Sequence, residues 1–450
     1  MLEIYKSIDN AKYGNFHRKL IIVAAIGAFT DLYGQVVITG GELSIEKYFN
    51  SLTIVGLAAA VFFIGAMVGA FVWGWLSDLK GRKFIFIVDL FFIVIFALLS
   101  AISTSETELL LFRAGLGFSI GGDFPAALSL LSEYSPTKVR GKLFSYFWLV
   151  FTLAGTVAVL VGYWLYIIYG VSALQWRILF ATAAIPAIIG IIIRWNVPES
   201  IRWYVKENKF EKAKSALKSA GISVSQDELN ELRSSIVSSK NKPKMGDIKK
   251  IFSKSYLLVS LGLIIAMLPE FSLSSVGTFS PVILEAFGLK GANTLLFTAF
   301  AFFGAQGIGA LISSFYSDKI GRIKLLLIGG GGMIVFFFAS SLVNNPYILL
   351  IFIVGYSITA FMWLPVVFSW GAELYPTSIR GTGSGWNNFL YRAYGAGTVY
   401  ITPLILVSIG AHGLYVTWTI VTFIGVVGGY GLLKIRGEMN QKSLEELAEV

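Results

Sequence analysis

Residues 74–83 read GWLSDLKGRK and residues 314–324 read SFYSDKIGRIK. Asp78, Gly81 and Arg82 fall on Asp318, Gly321 and Arg322 at an offset of 240 residues. A second pair keeps that register: EYSPTKVRG at 133–141 and ELYPTSIRG at 373–381 match through Glu133/Glu373, Pro136/Pro376, Thr137/Thr377, Arg140/Arg380 and Gly141/Gly381. Pro125 and Ser129 pair with Pro365 and Ser369 at the same offset. Independent coincidences do not share one register, so the chain is a single unit used twice.

The composition says what kind of unit. Of 450 residues, 56% are hydrophobic and 14% charged, against roughly 25% charged in soluble domains. A water-soluble fold cannot bury that surface. A membrane-spanning helix uses about 20 apolar residues, and the apolar runs fall near 20–43, 53–77, 84–103, 109–132, 141–168 and 174–194, then near 255–281, 292–316, 323–342, 346–371, 381–409 and 413–434. These are spans 1 to 12. The first follows a polar stretch, contains Asp31 and lacks a small-residue cleavage site, so it reads as a retained helix and not a signal peptide. The expected fold is an all-α membrane protein: twelve transmembrane helices in two six-helix bundles. Six spans per unit bring both copies in from one side, so the bundles are related by a pseudo-two-fold axis along the membrane normal. The domains read as residues 1–194, a cytoplasmic helical linker at 195–254, and 255–450. In the linker, VPESIRWYVKENKFEKAKSALKSAG reads as a helix ending at Gly221, and SQDELNELRSSI as a second, capped one.

A net charge of +10 raises nucleic acid as a partner until its placement is read. With both termini cytoplasmic, 31 of the 36 Lys and Arg residues fall inside, fourteen of them between spans 6 and 7 when Arg194, at the very end of span 6, is counted with that segment. Only Lys47, Arg177 and Lys290 fall outside, while Arg113 and Arg392 lie within spans. That bias sets the topology in a plasma membrane and makes nucleic-acid binding unnecessary. With no cysteine and two histidines, disulfides, thiol chemistry and a His-rich metal centre are not expected. No cofactor is expected beyond protons. The partners implied are a small solute and the lipid bilayer, for a chain read as a monomer.

A charge at mid-bilayer costs about 2.5 to 3.5 kcal/mol on insertion scales, which makes each one a functional candidate. Five qualify: Asp31 in span 1, Arg113 and Asp123 in span 4, Glu270 in span 7 and Arg392 in span 11. Asp89 and Glu42 sit nearer span ends, where water or an end-of-helix partner could serve them. Asp31, Gln35, Thr39 and Glu42 share a helical stripe, as do Ser384, Asn388 and Arg392, and Glu270, Ser274 and Gly277. Three polar seams turned from lipid imply a shared cavity between the halves. Asp123 lies ten residues beyond Arg113, roughly 15 Å along a helix, too far to pair with it, and is expected to face Asp31 or a watery passage. Two carboxylates close together in a dry site cannot both stay ionised, so one becomes a reversible proton carrier. For Arg392 two readings stay open: bidentate capture of an anion, or an internal ion pair with Glu270. Trp363, Tyr391 and Gln306 are further candidates for the cavity wall.

The placed motifs, Gly74 to Asp78 to Gly81-Arg82-Lys83, its second copy and the paired Glu-to-Arg-Gly segments, resemble the major facilitator superfamily over the whole chain. GGDFP in span 4, FTDLYG in span 1, an acid in span 7 and a cation in span 11 are similar to the phosphate:proton symporter branch and its organic-ion relatives. That resemblance implies proton movement at Asp31 and Asp123 and a substrate site at Glu270 and Arg392; on their place in the seams Glu270 is also read as a proton-coupling acid, and Asn388 and Gln35 as further substrate-binding residues. The tyrosine usual after the span 4 aspartate is Phe124, and AMLPEFSLSSVG around Glu270 holds no Trp or Tyr, which removes hydroxyl donors from a phosphate site. Sugar porters are the second resemblance, through VPESIRWYVKEN and the tail KSLEEL. The cytoplasmic motifs place carboxylates near Arg or Lys at helix ends, so Asp78, Arg82, Lys83, Glu133, Arg140, Asp318, Arg322, Glu373 and Arg380 are read as a gate. The expectation is a secondary active transporter and not an enzyme, moving a small anion (organic acid or phosphate) by proton-coupled alternating access. A neutral sugar or polyol is the alternative, and a non-transporting nutrient sensor the alternative of another class.

Overall fold

Apolar runs with no water to satisfy their backbone must close their own hydrogen bonds, and each of them is helical over its described residues but for the short turns that divide some of them. The computed structural model describes residues 14–51, 53–123, 127, 137–195, 199, 201–219, 221–222, 224–238, 251–254, 256–375 and 380–436. Among these, ten helices are long and apolar enough to cross a bilayer. One of the ten, Gly385–Leu432, is two spans: Gly410, at φ 71°, breaks the run Arg380–Arg436 between spans 11 and 12. Span 4, Glu106–Ile120 followed by a turn at 121–122, completes the twelve.

Several spans depart from straight helices where the sequence gives a cause. Span 1 runs Asn15–Val36, then bends through Thr39–Gly41 into Glu42–Phe49. Span 6 is divided at Ala183, just before Pro186, and span 7 is Leu257–Ala266 and Glu270–Ala286, divided at Pro269. Span 8 passes through a wide turn at Thr298–Gly304. The linker differs from the expected single helix: it forms Ile201–Lys206 and Phe210–Ser219, broken where Asn208 takes φ 58°. The capped helix is Gln226–Ser238, with Ser225 and Glu228 exchanging bonds at 3.1 and 2.6 Å.

The duplication is visible in the packing as well as in the letters. Gly81 (φ 94°) and Gly321 (φ 88°) make the same left-handed turn ahead of Arg82–Ile102 and Arg322–Ser341, a conformation that favours glycine. Ser100 donates to the Phe96 carbonyl at 2.7 Å and Ser340 to the Phe336 carbonyl at 2.8 Å, again 240 residues apart. A Cβ at Gly69 would overlap the carbonyl of Phe118, and one at Gly309 the carbonyl of Ile358. Spans 2 and 4, and their copies 8 and 10, therefore touch backbone to backbone, the close approach that small residues allow in lipid. The halves meet through the Phe71–Phe389 and Trp148–Phe368 ring contacts and a 3.2 Å bond from the Thr39 hydroxyl to the Gly277 carbonyl.

Gly69→Val and Gly309→Val are expected to force their helix pairs apart and lower stability by about 1 to 3 kcal/mol each. The thermal midpoint in detergent reads this. Gly331→Val, where an added Cβ meets nothing within 4 Å, should leave the midpoint unchanged.

Candidate functional site

Two adjoining cavities lie between the halves. The larger, with an empty volume of about 430 Å³, is bounded by Gln35 and Thr39 of span 1, Glu270, Ser274 and Thr278 of span 7, Gln306 of span 8 and the rings of Phe151, Phe303, Phe361 and Tyr391. The smaller, about 240 Å³, is lined by Asp31, Trp148, Phe151, Phe368, Asn388, Tyr391 and Arg392. Phe151 and Tyr391 stand on the wall of both. Of the three polar seams expected from helical spacing, Asp31 with Gln35 and Thr39, Glu270 with Ser274 and Gly277, and Asn388 with Arg392 do converge here, while the side chain of Ser384 lies outside the described residues. The bend at Thr39–Gly41 takes Glu42 off the stripe, and neither oxygen of its buried carboxyl has a partner among the described residues.

Arg392 of span 11 reaches across to span 1. Its Nη2 donates to Asp31 Oδ2 at 3.0 Å and Oδ1 at 3.4 Å, and its Nη1 to Gln35 Oε1 at 3.5 Å. The two side chains are 3% and 1% exposed. A buried pair of this kind holds while both charges stay, and removing either leaves the other stranded. Of the two readings left open for Arg392, the internal pair with Glu270 is corrected, because the partner is Asp31. Glu270 Oε1 instead accepts from Ser274 Oγ at 2.6 Å, and its Oε2 has no partner among the described residues.

Asp123 is also corrected: its carboxylate does not turn to Asp31 but meets the guanidinium of Arg194, which bonds both carboxylate oxygens, Oδ2 at 3.1 Å. Arg194 further donates to the Val23 carbonyl of span 1 at 3.0 and 3.1 Å and lies over the Phe86 ring at 4.6 Å. Gly27 provides the space, because a Cβ there would overlap both Arg194 and Asp123. Charge counting missed this residue by tallying Arg194 with the cytoplasmic charges that follow span 6; its position at the end of the apolar run IGIIIR was the available signal. Arg113 meets no carboxylate. It donates to the carbonyls of Gly34 at 2.9 Å and Gln35 at 3.5 Å, orphan acceptors at the end of the Asn15–Val36 helix, between the rings of Phe62 and Phe180.

Trp363 is a third correction. It is fully buried and packs on span 9 at Gly329, away from both cavities. At the proposed gate, the amides of Arg82 and Lys83 donate to Glu199 of the linker at 2.9 and 3.0 Å, so a carboxylate seats on the first turn of span 3. Sequence reasoning did not single out Glu199. Glu133 lies outside the described residues, as do the side chains of Asp78, Arg140, Asp318, Arg322, Glu373 and Arg380.

Twelve spans in two matching bundles, closing on a chamber with charged side chains turned inward, define a membrane carrier of the major facilitator architecture. The chain matches the "Sugar (and other) transporter" family over residues 23–450 and belongs to that family. It is 27% identical over 427 residues to the putative metabolite transport protein YaaU of Escherichia coli (strain K12), covering 91% of this chain and 89% of that one. To the glucose transporter GlcP of Staphylococcus epidermidis it is 29% identical, covering 95% and 96%. The solved structure of the proton:xylose symporter XylE superposes with a TM-score of 0.79 at 20% identity, covering 96% and 98%. The family is one of transporters and not of enzymes, and the match favours the sugar-porter branch, which the motifs had placed second.

Arg194→Met, leaving Asp123 as an unpaired buried charge, is expected to destabilise the protein by about 3 to 5 kcal/mol. The double change Arg194→Met with Asp123→Asn should recover most of that loss in a thermal melt.

Proposed function

We propose that the protein is a proton-coupled carrier of a small polar solute, working by alternating access in a plasma membrane with both termini cytoplasmic. One observation carries the reading: Asp31 and Arg392 join the two repeats across the wall of the chamber. Opening the chamber separates spans 1 and 11, and separation strands both charges unless Asp31 takes a proton. A proton on Asp31 frees Arg392, and Glu270 is the remaining acid that can answer it across the cavity. Inward proton flow supplies about 2.3 kcal/mol per charge per 100 mV. Residues 1–194 and 255–450 are the moving units and 195–254 the linker between them. Asp78, Arg82, Lys83, Glu133, Arg140, Asp318, Arg322, Glu373 and Arg380, with Glu199, form the gate on the cytoplasmic face.

The lining favours a neutral hydroxylated solute, a sugar or polyol. Gln35, Thr39, Ser274, Thr278 and Gln306 offer hydrogen bonds without net charge among aromatic faces, and the one guanidinium on the wall is already answered. The names of the glucose and xylose carriers among its relatives agree with this class. The second reading, an organic acid or phosphate, is favoured by the position of Arg392 on the smaller cavity beside Asn388, where it would be open to an anion once Asp31 is protonated.

Uptake into proteoliposomes under an imposed pH gradient, screened with hexoses, pentoses, polyols, small carboxylates and phosphate, tests the class. Asp31→Asn is expected to abolish uphill accumulation while solute exchange down its gradient continues. Full accumulation by that variant would discard the coupling. Movement of anions alone would replace the sugar reading with the second.

A further inference from the structure

Span 3 carries a buried acid that the chamber does not use. Asp89 is 0% exposed; its Oδ1 accepts the Leu90 N–H at 2.7 Å, and Oδ2 has no hydrogen-bond partner among the described residues. Three observations set it against the Asp123–Arg194 pair. Phe86, three residues earlier and so on the same helix face, lays its ring under the Arg194 guanidinium. Gly190, one turn before Arg194, packs on Leu90, where an added Cβ would lie 3.0 Å from Cδ1. In the second repeat the counterparts of Asp89 and Asp123 are Gly329 and Trp363, and a Cβ at Gly329 would lie 3.0 Å from the Trp363 Cβ. The two helix positions that pack glycine on indole in one repeat hold two carboxyls in the other.

Asp89 thus stands beside the Asp123–Arg194 pair with no bond of its own to the guanidinium. Among the described side chains on span 3 and on the elements packed against it, the other charged groups are engaged or distant; Arg82 and Lys83 stand at the start of span 3, about two turns before Asp89. Arg113 is bonded to span 1 carbonyls, and Arg177 binds the Ala101 and Ser103 carbonyls at the far end of span 3. Glu106 and Glu108 lie at that far end as well, in the first turn of span 4, and Lys80 sits over the Phe84 ring. With both acids ionised the centre would hold an uncompensated negative charge away from water, which a single proton removes.

The geometry points to Asp89 as a neutral, proton-holding carboxylic acid that shares one exchangeable proton with Asp123 beside Arg194, a proton site separate from the chamber pair. With the proton on Asp89, Asp123 is the ionised partner of Arg194. When the proton crosses to Asp123, Asp89 becomes the carboxylate and the net charge of the three groups is unchanged. Gly27, against which the Asp123–Arg194 pair sits, is one helical turn from Asp31, so the centre bears directly on the helix that carries the chamber acid. Its place in transport rests on the proton-coupled reading above; its protonation does not.

Infrared difference spectra of the purified full-length protein, recorded between neutral and alkaline pH, test the proton directly. A carboxylic-acid C=O band is expected at neutral pH that persists in Asp31→Asn and is lost in Asp89→Asn. Because an amide matches the shape of a neutral acid, Asp89→Asn should also keep the parent thermal midpoint, while the pH profile of uptake in proteoliposomes moves by about one unit or more. An unchanged band in Asp89→Asn, or a variant that melts early or fails to fold, would mean that Asp89 is ionised and overturns the proposal. A lost band with an unmoved uptake profile overturns its part in the cycle. Full accumulation by Asp31→Asn would defeat the chamber mechanism and leave the Asp89 band as a separate result.

Discussion

Three buried arginines from three different helices all donate to span 1. Arg194 of span 6 holds the Val23 carbonyl, Arg392 of span 11 holds Asp31, and Arg113 of span 4 holds the carbonyls that the helix end leaves free. A guanidinium in the bilayer core is tolerated only where acceptors surround it, so each arginine dictates how its helix is turned and how closely it approaches. The aromatic faces of Phe86, Phe62 and Tyr391 beside the three cations add a second fixed surface to each. Span 1 is consequently the helix against which the rest of the charged interior is registered.

The duplicated architecture sharpens what these groups mean. Where packing alone is at stake the repeats agree, as at Gly81 and Gly321 or Gly69 and Gly309. Five charged positions within the spans differ between them: Asp31 corresponds to Phe271, Arg113 to Ile353, Asp123 to Trp363, Glu270 to Thr30 and Arg392 to Thr152. A scaffold repeated for stability has no use for charge at one copy only. The asymmetry therefore marks residues that the repeated scaffold does not require, which is why the proposed mechanism draws on Asp31, Glu270 and Arg392.

The fold was legible because its signals are one-dimensional. Apolar length, the offset of 240 and the glycines ahead of spans 3 and 9 each need only distance along the chain, and the observed helices end within a few residues of those expected at most span boundaries. The chamber wall was legible in part for the same reason, since helical spacing puts Asp31 with Gln35 and Glu270 with Ser274. Partners were not. Whether Asp123 meets Asp31 or Arg194 depends on how two helices are rotated about their axes, and no spacing within either one records that. Arg194 was hidden by a second effect: a cation at the last turn of a span looks like a topology signal until a neighbour's carboxylate draws it inward.

The two buried ion pairs among the described residues have different relations to a change of shape. Asp31–Arg392 joins span 1 to span 11 and so crosses between the repeats, whereas Asp123–Arg194 joins spans 4 and 6 and touches span 1, all within the first repeat. A rocking motion of one bundle against the other must break the first pair and can leave the second intact. Breaking the first strands two charges, which is the ground for the proton proposed on Asp31; preserving the second would keep spans 1, 4 and 6 moving as one body. Span 1 belongs to both pairs, and Gly27 and Asp31 lie one turn apart on it. Any rearrangement around Asp123 that displaced the turn at Gly27 would therefore shift the carboxylate that faces Arg392. That shared helix is the physical means by which a charge state inside one bundle can alter the contact between the two.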